Sequence, residues 1–256
     1  MANTQIRALC AGLLVTGLLA GIGGWPAAAQ SGPFRAGERL TYDVRWSAML
    51  AALTAGTVTL EVTEQRTPDG LAFGVVGEAR LSETLSRLYQ LYYRADTLVD
   101  ARTLLPLEGS IHSEEGRRQR TKVTRFDRAA QRAHYEIRTA TVVTRELAVP
   151  MGVQDALSAL YVMRAMPWAP GEFRIPVSDG GKLYTVVVTV GGREQIRTSL
   201  GTQMARQASI RVVEDGVGPV DRRLDLWVSD DTRRLPLKIE VDLPIGSVVL
   251  LLRELA

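Results

Sequence analysis

The 256-residue chain holds one cysteine, Cys10, and two histidines, His112 and His134. That scarcity excludes a disulfide framework and the zinc modules built from clustered thiolates and imidazoles. Aromatic residues make up 6% of the chain, and it ends "RELA" without a terminal aromatic. The girdles of an outer-membrane barrel are therefore missing, and stable membrane insertion is not expected. Charge of one sign is also lacking. A formal net charge of +3 is too small to point to nucleic acid. No G-x-S-x-G nucleophile elbow and no H-E-x-x-H pair occurs. "DGGK" at 179–182 lacks the upstream glycine and the following Ser or Thr of a phosphate loop, and reads as a hairpin turn. Catalytic residues, cofactors and a bound metal are accordingly not expected.

One long apolar run is present, at the start. Arg7 precedes "ALCAGLLVTGLLAGIGG", which leads to "WPAAAQ", where Ala27 and Ala29 fit the A-x-A pattern of signal peptidase. The run approaches the length of a membrane span, but its small-residue exit and the polar "QSGP" after it favour cleavage after Ala29. Leu9 precedes Cys10 and the apolar run continues beyond it, which is not a lipidation context. The expectation is a signal peptide over residues 1–29 and a single periplasmic β-rich domain over 30–256. A domain of that size folds on core burial without disulfides.

Strand patterns dominate this region. In "ERLTYDVRW", Leu40, Tyr42, Val44 and Trp46 share one face and Arg39, Thr41, Asp43 and Arg45 the other. "GTVTLEVTEQ" repeats the pattern with Val58, Leu60 and Val62, and "TPDG" turns the chain into "LAFGVVGEA". "LSETLSRLYQLYYRADTLVD" opens on a possible helical turn and ends as a strand. "LEGSIHSEE", "RRQRTKVTRF" and "RAHYEIRTA" then form a meander. One substantial helix is predicted over 153–166, with Val153, Ala156, Leu157, Leu160 and Met163 on one face and Pro167 ending it. This face should pack on the sheet and leave Arg164 outside. "KLYTVVVTV", "ASIRVVEDG", "RRLDLWVSDD", "LPLKIEVDL" and "SVVLLLREL" complete the β pattern; Pro236 implies an edge or irregular start, and the last strand, apolar on both faces, a central place. The fold class is mainly β: a curved antiparallel sheet, or a half-open or closed barrel, with one principal covering helix.

The blocks "FRAGERLTYDVRW", "AGTVTLEV", "DALSALYVMRAMPWAPGE", "VSDGGKLYTVVVTVGGRE" and "LWVSDDTRRLPLKIEVDLPIGSV" resemble the exported bacterial family called domain of unknown function 3108. The resemblance covers nearly all of the chain beyond the leader and is most specific in the first and last blocks. It implies an exported β-rich protein and supplies no catalytic residues. The inferred architecture is also similar to that of lipoprotein carriers of the LolA and LolB kind, in which a curved sheet shelters an apolar cavity under helices. Likeness of architecture does not establish function.

Candidate chemistry is sparse. His112 and His134 fall on meander strands where Glu114 or Glu136 could complete a zinc set; two partly exposed strand histidines are the favoured reading. Asp225, Asp230 and Asp231 precede Arg233 and Arg234, and Asx-type turn capping is favoured over calcium. Asp155 and Ser158 sit a helical turn apart, where Asp155 suits the helix start. A basic run between 117 and 138 places Arg118, Arg120 and Lys122 on one strand face, fit either to meet an anionic envelope component or to protect a solvated edge hairpin. Two functions stay open: a non-enzymatic carrier for a lipid-like apolar ligand, or an envelope interaction module with a filled core. The carrier's candidate lining is Tyr42, Trp46, Val58, Leu60, Leu160 and, held loosely because Leu226 and Val228 flank it, Trp227; Arg118, Arg120 and Lys122 would contact an anionic group.

The leader reading has a direct check. N-terminal sequencing of the exported protein should begin at Gln30, and a chain that keeps Met1 or carries an acyl group on Cys10 would refute it.

Overall fold

Alternation becomes strand along almost the whole chain. The computed structural model describes residues 33–48, 51–220, 223–243 and 246–256; the leader, with Cys10 and the Ala29 cleavage position, lies outside them. The order is β1 (Arg39–Ala48), β2 (Ala51–Thr67), β3 (Gly70–Leu81), a one-turn helix α1 (Glu83–Ser86), β4 (Leu91–Asp100), β5 (Pro106–Glu115), β6 (Arg118–Asp127), β7 (Arg132–Arg138) and β8 (Val142–Ala148). Then come α2 (Ala156–Ala165), β9 (Gly171–Asp179), β10 (Lys182–Thr198), β11 (Gly201–Glu214), the short β12 (Gly218–Pro219), β13 (Leu224–Ser229), β14 (Pro236–Asp242) and β15 (Ser247–Leu255).

All the strands join one antiparallel sheet in the order β8-β7-β6-β5-β4-β3-β2-β1-β15-β14-β13-β11-β10-β9, with β12 paired to β11. The first and last strands are neighbours near its middle: Tyr42 faces Leu252 and Val44 faces Leu250. β15 is thus central, as its two apolar faces required, and buries Val248, Leu250 and Leu252. β14 is interior too. Pro236 marks an irregular start, where the register with β13 shifts, and not an edge. β8 and β9 are the edges. The sheet curls until the β9–β10 turn reaches the far end, with Lys122 of β6 3.5 Å from Asp179. It does not close. The chain before α2 lies along β9, where the Gln154 amide donates to the Pro176 carbonyl at 2.8 Å and the Ser178 amide to Gln154 at 2.8 Å.

That pairing shortens the predicted helix. Gln154 is held extended against β9 and the Val153 amide turns back to the Pro150 carbonyl, so α2 begins at Ala156, with Asp155 as its N-cap. Oδ1 of Asp155 accepts from the amides of Leu157 and Ser158 at 2.9 and 2.8 Å, and Ser158 Oγ accepts from the Asp155 amide at 3.0 Å. At the other end Arg234 Nη1 donates to the carbonyls of Arg164 and Met166 at 3.0 and 2.6 Å, supplying partners that helix termini lack. Arg234 is placed by an Asx turn in which Asp231 accepts from the amides of Arg233 and Arg234. Of the acidic cluster, Asp231 therefore works as turn capping, while Asp230 pairs with Arg193 and Arg206 and Asp225 with Arg223.

The helix face needs a correction. Leu157 and Leu160 are only half-buried, whereas Arg164, expected outside, is 1% exposed. Its guanidinium donates to both oxygens of Glu38 at 2.6 and 2.8 Å, and to the carbonyls of Pro33 and Arg233 at 2.9 and 3.2 Å. Phe34 and Tyr161 present ring faces to it at 5.4 and 5.2 Å. An arginine is buried here because both terminal nitrogens of its guanidinium meet acceptors and two rings flank it. Removing one partner of a buried pair strands the other charge and typically costs about 3–5 kcal/mol. Arg164→Ala should therefore lower the urea midpoint more than Leu160→Ala, whose half-buried truncation belongs near the lower end, about 2 kcal/mol. Equal losses would show that the ion pair does not anchor α2.

Candidate functional site

The curl of the sheet and the position of α2 leave an apolar chamber of about 180 Å³ on the concave face. Its floor comes from paired positions on adjacent strands. Tyr42 faces Val58, Val58 faces Ala79, and Ala79 faces Tyr93; one row away Leu60 faces Gly77 and Gly77 faces Ala95. From the other half of the sheet come Val186, Ile210, Leu226, Ile239 and Leu250, and α2 contributes Leu157, Leu160 and Met163 as the roof. Small residues shape the hollow. At Gly77 a Cβ would stand 3.2 Å from Leu60 Cδ2 and 3.6 Å from Leu157 Cδ1, so glycine lets the helix settle close to β3. Ala79, Ala95, Ala156 and Ala159 leave the remaining space. Glu78 is the one charged residue of the lining. Burial opposes its charge, but hydrogen bonds from Tyr92, Arg94 and Arg80 hold its carboxyl below the usual range.

A second hollow of about 30 Å³ adjoins the first across Ala95, Ala156 and Leu157. Thr97, Thr124, Lys122, Asp155, Ser178 and Asp179 all contribute polar groups to its wall. Oδ2 of Asp155 accepts from the Thr97 hydroxyl at 2.9 Å. Gly109 gives this carboxylate room, since a Cβ there would lie 3.0 Å from Oδ2. Burial pushes the Asp155 carboxyl above its ordinary 3.8, in part offset by hydrogen bonds from Ser158, Thr97 and Leu157.

Four of the predicted lining residues, Tyr42, Val58, Leu60 and Leu160, meet in the chamber. Trp46 is half-buried against the core but is not part of the lining. Trp227 is a correction: it is 8% exposed but sits on the opposite face, where it pairs across β13–β14 with Lys238, whose Nζ lies 4.1 Å over its ring. Its indole N–H donates to Glu194. Strict alternation with Leu226 turns it away from the chamber. Arg118, Arg120 and Lys122 do share the concave face. Arg120 stands in the row of Tyr93 through Ser113, and Lys122 in the row of Ala95 through Ile111. The sequence reading missed Arg145, which shares this face beside Tyr135; the rest of the chamber's small residues carried no signal without the curl. His112 contacts Thr121 and Glu114, and His134 contacts Glu146, with β6 between them. No group of three metal-ligating side chains forms among the described residues.

Asp155 generates a pH test. Asparagine keeps an Oδ1 acceptor for the helix amides but has no proton to lose. Because the folded-state pKa lies above the ordinary 3.8, this carboxyl costs the fold stability as pH rises from there through the raised value. Asp155→Asn should compare more favourably with wild type near pH 7 than near pH 4 in urea midpoints. A difference that does not change over that range would show that the buried carboxyl is not shifted.

The chain is similar in fold to a β-barrel-like protein of the domain of unknown function DUF1849 from Brucella abortus, over 86% of this chain and 96% of that one, at 12% identity and a TM-score of 0.57. At that identity the likeness concerns the fold alone. A candidate exported protein with a YmcC-like fold from Bacteroides fragilis aligns over 88% of this chain and 98% of its own, at 8% identity and a TM-score of 0.31, too low to carry an argument. No curated protein matches the chain. The family model for the protein of unknown function DUF3108 matches residues 41–253, from the first strand to the last, and the chain belongs to that family.

Proposed function

We propose that this domain is a non-enzymatic, exported binding or carrier protein that holds the apolar part of a small amphiphile between α2 and the concave face of the sheet. The observation that carries the reading is the chamber: concave, lined almost wholly by apolar side chains, and adjoined by polar groups, as ligand sites are. Its size limits the ligand. An apolar cavity of about 150 Å³ accommodates benzene, so about 180 Å³ takes a ring or a short length of alkyl chain and not a whole lipid. Arg118, Arg120 and Arg145 form no ion pair among the described residues and lie on the concave face next to the chamber rows, placed to attract an anionic head. The periplasmic address rests on the leader. No helix among the described residues is long and apolar enough to cross a membrane.

The same volume favours a second reading, since ligand pockets usually run to about 300–1,000 Å³. On that reading the chamber is a packing defect and the protein is an envelope interaction module acting through its surface and basic hairpin.

Hexyl sulfate, a short anionic amphiphile, separates the two. In calorimetric titrations it should bind, and reversing charge at Arg118, Arg120 and Lys122 should weaken binding and flatten its salt dependence, because exposed attraction is screened over about 8–10 Å. Ala79→Phe, which fills the chamber, should weaken binding at every salt concentration. Binding that ignores Ala79→Phe, or no binding at all, would favour the interaction module.

A further inference from the structure

The small hollow beside the chamber carries polar groups that holding an apolar chain does not explain. Ser178 is 2% exposed, and its hydroxyl has no hydrogen-bond partner. Burying a hydroxyl unpaired is unfavourable, so such a group in a native wall points to an occupant. We infer that this annex receives an uncharged hydrogen-bonding oxygen, an alcohol or a carbonyl, at the head of the ligand's apolar chain. The inference rests on the carrier reading and names the chemistry next to the chain.

Three observations select that class. The first is size: one or two water-sized groups need about 10–15 Å³ each, and the annex offers about 30 Å³. The second is position. The annex shares Ala95, Ala156 and Leu157 with the chamber, so a chain lying there reaches the annex with its end. The third is charge. Asp155 and Asp179 face the annex against one cation, Lys122, which is already 3.5 Å from Asp179. Arg128, the other cation near Asp155, donates its guanidinium to the carbonyls of Pro106 and Val153. A carboxylate placed there would meet Asp155 and upset the balance that Arg128 gives it from outside the annex, and an ammonium would meet Lys122. An uncharged oxygen meets neither objection, and the Ser178 hydroxyl can donate to it. Thr97 and Thr124 line the remaining wall. An anionic group further along the molecule would then reach Arg120 and Arg145, beyond the annex on the same face.

The test compares hexan-1-ol with 1-chlorohexane, followed by NMR shifts of the Ala95, Leu157 and Ser178 amides in the purified chain and in Ser178→Ala. A buried hydrogen bond lost to truncation corresponds to about fivefold or more in affinity. Ser178→Ala should weaken hexan-1-ol by that factor and leave 1-chlorohexane unchanged, the second result also showing that the variant keeps its fold and chamber. Equal effects on the two compounds, or none on either, would overturn the annex's role and leave it a site for water alone. Failure of wild-type protein to bind either compound would overturn the carrier reading, and this inference with it.

Discussion

The arrangement depends on one buried contact, the double hydrogen bond between Arg164 and Glu38. Arg164 closes the last turn of α2 and Glu38 precedes β1, so the pair ties the covering helix to the start of the sheet. The β13–β14 turn completes the grip: the Arg233 carbonyl accepts from Arg164, and Arg234 caps the helix carbonyls. Two stretches distant in sequence, "FRAGERL" and "SDDTRRLP", thus converge on one end of one helix. A buried ion pair is weak evidence of net stability, because desolvation offsets much of its attraction. Its geometry is nevertheless demanding. The placement of α2 that brings Arg164 to these acceptors leaves Leu157 and Leu160 over the chamber.

Most of the sheet was legible because each strand has one buried face, which forces an apolar residue at every second position. β1 and β2 follow that rule closely, and β15, apolar on both faces, was legible as a central strand instead. β8 does not: "VVTRELA" is exposed at nearly every position, has no buried face to mark it, and was not foreseen. β9, also unforeseen, carries a proline and lies at the other edge. The helix was visible by its stripe, but its true start was not, since Gln154 takes its conformation from β9 rather than from neighbours along the chain. Arg164 could not be read as buried from composition, because its acceptors lie more than sixty residues away on both sides.

The site was half legible for a related reason. Large residues such as Tyr42 and Leu60 announce an apolar face, and alternation placed them correctly. A cavity is made by what is small, and Gly77, Ala79 and Ala95 have no pattern of their own. They become chamber wall only when the curl brings them under α2. Trp227 shows the opposite error, a large aromatic whose size suggested a pocket while its parity placed it on the convex face against Lys238.

The open seam between β8 and β9 gives the sheet an expansion joint. Around the rest of the ring each strand is laced to its neighbour by a ladder, and no strand can move outward without breaking many hydrogen bonds together. At the seam the extended segment before α2 holds β9 through two backbone bonds, those of Gln154 with Pro176 and Ser178. The helix hangs from this same segment at Asp155. The roof and the edge of the sheet thus share one attachment, and parting the seam there would cost two backbone bonds while every ladder kept its register.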